Sequence, residues 1–135
     1  MSRGAITLDV QGVADVNAAL AAAAARSPRL AEAALTRGLD NIVRDTKGYT
    51  PVDEGDQRST VRKEQDGLSG QVLVGGIPGE ATGKMVDYAA ANELGVVNGP
   101  RAGKHPIQPS LTPAFEENRA GIIRDLEAVP TEAFR

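Results

Sequence analysis

The sequence predicts a chain of mixed α and β structure, α+β in class: a long N-terminal helix, kinked or split near Pro28, a C-terminal helix, and short strands besides. Three observations lead there. Apolar residues recur at helical spacing through the first third of the chain and again near its end. Short alternating runs, the signature of half-buried strands, occur at the N-terminus and in the middle. Between the helix-like and strand-like parts lies a proline- and glycine-marked corner, Thr50–Val61.

Residues 5–10 alternate, with Ile6, Leu8 and Val10 on one face, and predict a short strand that Gly12 ends. Val13, Val16, Leu20 and Ala24 then fall at helical spacing through an alanine-rich segment of high helix propensity. Ser27-Pro28 is a restart signal, because serine caps a helix and proline is tolerated at its first position. The next stripe is Ala31, Leu35, Leu39, Ile42, Val43 and Thr46, and Gly48 is placed to close it. The first third is therefore a helix pair or one bent helix.

At the corner, Pro51 fixes φ and stops the incoming helix. Asp53, Glu54 and Asp56 supply carboxylates that bond nearby amides, and Gly55 is free to adopt positive φ. Arg58 to Val61 opens a strand-like register. Residues 59–63 and 71–74 read as paired strands joined by a turn over residues 65–70. Residues 75–84 form a glycine-rich loop, 85–94 a short helix around Tyr88, and 95–105 a second long loop. Residues 106–109 are extended. Thr112-Pro113 repeats the cap-then-proline signal, Phe115, Ile122, Leu126 and Val129 make the stripe of the last helix, and Pro130 stops it.

Bulk properties narrow the function classes. The 135 residues suit one domain, residues 1–135. Leu, Ile, Val and Phe number 30 against 21 alanines, with four aromatic residues, so the core is thin and gains from burial against partners. A net charge of −3 with mixed signs implies no global attraction to nucleic acid or to an anionic membrane. No apolar run approaches the roughly 20 residues of a membrane span. The lack of cysteine removes disulfides, thiolate catalysis and thiolate-bound metals.

The candidate chemical groups each meet a plainer competitor. Asp53, Glu54 and Asp56 are too few and wrongly spaced for a calcium loop, and read as a solvated turn. Gly79–Met85 resembles a phosphate loop, but is one residue short and has Met85 where a magnesium-binding hydroxyl belongs. His105, the single histidine, has no adjacent nucleophile or orienting partner. Glu93 stands in an apolar segment, either as an acid–base group or, as we favour, as a structural carboxylate paired with an arginine such as Arg58. Arg101 and Lys104 make a small basic loop that could touch DNA or another subunit, though two charges without aromatics are few for a nucleic-acid site. No catalytic constellation, cofactor site or metal site emerges.

Three landmarks in a fixed order are more specific. The first is Thr50-Pro51-Val52-Asp53-Glu54-Gly55-Asp56-Gln57-Arg58-Ser59-Thr60-Val61, the second Tyr88-Ala89-Ala90-Ala91-Asn92-Glu93-Leu94-Gly95, and the third Pro109-Ser110-Leu111-Thr112-Pro113-Ala114-Phe115. Together they resemble the small neck, or tail-completion, protein family of long-tailed, lambda-like siphophages and their prophage relatives, over about residues 5–129. The chain departs from the family pattern at Gln57, where leucine is usual, at Leu94, where an aromatic is common, and at Ser110, where phenylalanine is common. The resemblance implies an α+β fold, with the long N-terminal helix and the C-terminal helix packed on a small, mostly antiparallel sheet. It implies a structural virion protein of the head–tail junction, assembled in the bacterial host cytoplasm. It also implies a homo-oligomeric ring, expected to be a hexamer, between head-completion and tail proteins, with DNA passing through the lumen and not bound by sequence. Pro51, Val52, Asp53, Gly55, Arg58, Tyr88, Glu93, Gly95, Pro109 and Pro113 are then structural residues of the motif. The alternative is a small non-enzymatic DNA- or protein-binding module.

Overall fold

The computed structural model describes residues 6–50, 56–86 and 110–132; the side chains of Gln11 and Asp56 are left aside. The protein is α+β. Strand β1 (Ile6–Asp9) leads through a 3₁₀ turn (Val10–Gly12) into α1 (Ala14–Arg26) and α2 (Pro28–Tyr49). A four-residue helical turn, α3 (Asp56–Ser59), precedes β2 (Arg62–Asp66) and β3 (Ser69–Val74), and α4 (Leu111–Glu127) closes the described order. No helix among the described residues is long and apolar enough to cross a membrane.

The helix break falls at Ser27, whose φ/ψ of −159°/103° is extended. The Leu30 amide donates to the Ser27 hydroxyl oxygen at 3.2 Å, an N-cap, and Pro28 takes the first helical position, where its missing N–H costs nothing. Two helices, not one bent helix, result. The buried face of α2 is Ala31, Ala34, Leu35, Gly38, Leu39, Ile42 and Thr46. The periodic stripe was legible, but Val43 is only half-buried, while Ala34 and Gly38 complete the face.

Gly48 does not end α2. The helix runs on to Tyr49, and the chain leaves it at Thr50 with φ −71° and ψ 129°. Thr50 donates both its N–H and its hydroxyl to the Thr46 carbonyl, at 2.9 and 2.7 Å, so a left-handed glycine is not needed there.

The sheet is antiparallel in the order β1-β3-β2. Asp66 faces Ser69 across a two-residue turn, Gly67-Leu68, with Gly67 at φ 58°. The turn is therefore tighter than expected, β3 is longer, and β2 keeps its expected length but lies three residues further on. Arg58 to Val61 is not strand: the first part is α3, and β2 begins at Arg62. The last helix begins at Leu111, one residue before the expected Thr112 cap, which puts Pro113 third in the helix. At that position too an N–H would have no intrahelical acceptor, so proline loses nothing.

One cluster joins the elements. Val10, Val16, Leu20, Leu35, Leu39, Ile42, Val72, Val74, Phe115, Ile122 and Leu126 are all buried, so α1, α2 and α4 share a core with the inner face of β3. Gly38 and Gly70 set its spacing. A Cβ at Gly38 would lie 2.9 Å from Ile122 Cγ1, and one at Gly70 would lie 2.6 Å from Leu39 Cδ1.

Residues 75–84, expected as a glycine-rich loop, fold back together with Met85 and Val86, which were expected to open a helix and instead pair with the loop. Gly76 N–H donates to the Val86 carbonyl at 2.7 Å, Val86 N–H to Ile77 at 3.0 Å, and Gly79 N–H to Lys84 at 2.8 Å. Gly75, Gly76 and Gly83 have φ of 81°, 76° and 73°, which L-residues with side chains rarely adopt. The helix expected over 85–94, the loop over 95–105 and the extended 106–109 lie outside the described residues beyond Val86.

Candidate functional site

The sequence directs attention to the corner between helix and sheet, and the structure describes its two flanks. On the incoming side, the last carbonyls of α2 have no intrahelical donors. Thr50 satisfies Thr46, and Arg58 donates its Nε–H to the Lys47 carbonyl at 2.9 Å. A cation at a helix C-terminus also meets the negative end of the helix dipole. Arg58 is thus tied to the helix it follows.

On the outgoing side the centre is Thr60, fully buried. Its hydroxyl donates to the Gln57 carbonyl at 2.6 Å and accepts the Gly75 N–H at 2.7 Å. Arg62 Nη1 donates to the carbonyls of both Thr60 and Gly75, at 2.7 and 3.0 Å. The Glu80 N–H reaches the Ser59 hydroxyl oxygen at 3.0 Å. The short helix, the start of β2, the exit of β3 and the folded loop are therefore locked at one point. These bonds set chain direction. Nothing among them couples a nucleophile to a base, and no group of three His, Cys, Asp or Glu among the described residues could hold a metal.

A second cluster fastens the end of α2 to the start of α4. Asn118 Nδ2–H donates to Asp45 Oδ2 at 2.8 Å and to the Ala114 carbonyl at 2.7 Å. Arg44 forks onto the Asp45 carboxylate at 3.0 and 3.3 Å. Hydrogen bonds from Arg44, then Asn118, hold the Asp45 carboxyl below its ordinary range. One turn on, the exposed Tyr49 donates its phenolic O–H to Glu117, which pushes the phenol's pKa up.

No family model, no curated protein and no solved structure matches this chain. Its reading rests on its own residues.

Of the residues singled out from sequence, Arg58, Pro113 and the Gly79–Met85 run are described, and Asp56 in its backbone only. Pro51, Val52, Asp53, Gly55, Tyr88, Glu93, Gly95, Arg101, Lys104, His105 and Pro109 lie outside the described residues, so the pairing considered between Arg58 and Glu93 has no geometry to report. The sequence reasoning missed Thr60 and the Lys47 carbonyl. A threonine hydroxyl bonded to the carbonyl three residues back is a recognisable local motif, and could have been found. The Lys47–Arg58 bond spans eleven residues across the corner, and no local rule supplies it.

Proposed function

We propose that this protein is a structural component of the head–tail junction of a long-tailed bacteriophage or related prophage. It assembles there, in the host cytoplasm, into a homo-oligomeric ring of six copies between head-completion and tail proteins. DNA passes through the lumen without sequence-specific contact, and the protein works as an assembling part and not as an enzyme. The observation that carries the reading is the ordered set of landmarks: the Pro-Val-Asp-Glu-Gly corner with Arg58, the Tyr-Ala segment with Glu93, and the Pro109–Phe115 run into the last helix. The α+β architecture, with two N-terminal helices and a C-terminal helix on a three-stranded antiparallel sheet, agrees with the fold this resemblance implies. The thin core supports it further, since much of the chain's small apolar surface is alanine and gains from a neighbour.

The test is complementation of particle assembly. Deleting the coding segment from its source should leave DNA-filled heads and finished tails unjoined in negative-stain images. Adding back the purified chain should join them, with a ring at the junction. Joined, infectious particles without the protein would overturn the reading. A salt-dependent DNA affinity of the isolated chain, lost in an Arg101→Ala/Lys104→Ala variant, would favour the binding-module alternative.

A further inference from the structure

We infer that the free chain pairs with a second copy of itself about a two-fold axis, through the shallow groove between α1 and α4. This groove has a volume of about 500 Å³. Its floor is Ala18, Ala19, Ala22 and Ile123, and its ends are marked by Asp15 at one side and by Arg26 and Glu127 at the other. Ala18 and Ala22 are exposed, and small side chains let a facing helix approach closely.

The charges choose the occupant. Helices α1 and α4 run in the same direction. Asp15, near the start of α1, pairs with Arg119 at 2.8 Å, and Arg26, at its end, reaches the carbonyls of Leu126 and Val129. On α1 the order along the groove is acid then base, Asp15 and Arg26, eleven residues or about 16 Å apart. On α4 it is base then acid: Arg119, beside the groove and held on Asp15, and Glu127, eight residues or about 12 Å apart. Turning a second copy end for end about an axis that passes over the middle of α1 and over Ile123 places each charge opposite its complement. Asp15 meets Arg26 of the second copy, and Arg119 meets Glu127. Ala19 faces Ala22, and the two Ile123 side chains meet at the axis.

Asp15 and Arg119 are already paired within one chain, and the other two charges gain something they lack. Arg26 commits Nε and Nη2 to backbone carbonyls, which leaves Nη1 for a carboxylate. Glu127 has no ion pair among the described residues, and the arrangement gives it one. The end-for-end arrangement also opposes the dipoles of two parallel helices in one copy to those in the other, whereas the side-by-side alternative would align all four. The pairing is isologous, unlike the head-to-tail contact of a ring, so it stands apart from the proposed function.

The chain has no cysteine, which makes the test clean. Light scattering and sedimentation across the micromolar range should give a species of twice the 14.0-kDa chain mass. Ala22→Glu, an exposed change to a good helix former, should fold normally and raise the dimer dissociation constant at least about tenfold. Ile123→Cys should form a disulfide-linked dimer on mild oxidation, while Ala33→Cys, exposed on α2 and outside the groove, should not. A chain that stays monomeric, a dimer indifferent to Ala22→Glu, or equal cross-linking of the two cysteine variants would each overturn the pairing. A larger ring that Ala22→Glu leaves intact would also overturn it, while leaving the proposed function standing.

Discussion

Arg26, the last residue of α1, donates its Nε–H to the carbonyl of Val129 at 2.7 Å, across 103 residues of sequence. A second donor of the same guanidinium takes the Leu126 carbonyl at 2.8 Å, and the Glu132 N–H returns to the Arg26 carbonyl at 3.2 Å. The end of the last helix is therefore capped by the end of the first. Lysine has the charge but not the planar fork. Arg26→Lys should cost about 1–2 kcal/mol by loss of one charged hydrogen bond. Urea unfolding should show the midpoint falling at unchanged slope. An unshifted midpoint would mean that the fork contributes nothing.

Gly70 sits against Leu39, and a methyl group there would come within 2.6 Å of Leu39 Cδ1. Leu39 is fully buried among packed neighbours, so the side chain has little room to swing aside. Gly70→Ala should destabilise the protein by about 1–3 kcal/mol through overpacking. Gly38→Ala should cost less, because its contact with Ile122 is looser and alanine gains about 1 kcal/mol of helix propensity. The decisive measurement is a double-mutant cycle. Gly70→Ala combined with Leu39→Ala should destabilise by less than the sum of the two single changes. Strict additivity would show that the two positions do not touch in solution.

How far the sequence leads is visible in these same residues. Leu35, Leu39 and Ile42 were legible because a 3.6-residue apolar period survives any tertiary context, and Ser27-Pro28 because capping is local chemistry. Gly38 and Ala34 were not, since small residues carry no hydrophobic signal although a close helix approach depends on them. Gly48 misled because glycine is only one way to end a helix. Here Thr50 folds its own hydroxyl back instead. Arg58 was legible as an anchor but not its anchorage, and a four-residue helical turn such as α3 has too few residues to show a period. The candidate site was legible as a corner, whereas its lock at Thr60 depends on Gly75, which is fifteen residues away.

That lock is open to a near-isosteric test. Thr60→Val keeps the shape and removes the hydroxyl, stranding the buried Gly75 N–H, while the Gln57 carbonyl keeps the backbone N–H of residue 60 at 3.0 Å. The expected cost is about 1–3 kcal/mol for the unsatisfied donor. Thr60→Ser keeps the hydroxyl and should lose less. Amide hydrogen exchange reads the site directly: Gly75 should exchange faster in the valine variant than in the serine variant. Equal protection in the two would remove Thr60 from its place at the centre of the corner.

The charged pairs around the helix ends give stability a definite pH window. Hydrogen bonds hold three carboxyls below their ordinary values: Asp45 through Arg44 and then Asn118, Asp15 through Arg119, and Glu132 through Ser27, with Arg29 adding to it. A depressed folded-state pKa gives stability that is complete above the unfolded values, 3.8 for the aspartates and 4.5 for Glu132, and lost as pH falls through the lower folded values. Tyr49 works in the opposite sense. Its O–H donates to Glu117, which raises the phenol above its ordinary 10.0, so that contribution is present below pH 10.0 and is lost as pH rises through the folded value. Thermal unfolding should therefore weaken on both flanks. Asp45→Asn should shrink the acid flank, and Tyr49→Phe should shrink the alkaline one. Salt should flatten the acid flank, because these pairs are exposed. If wild type and Tyr49→Phe lose stability in parallel above pH 10.0, Tyr49 and Glu117 do not hold α2 to α4.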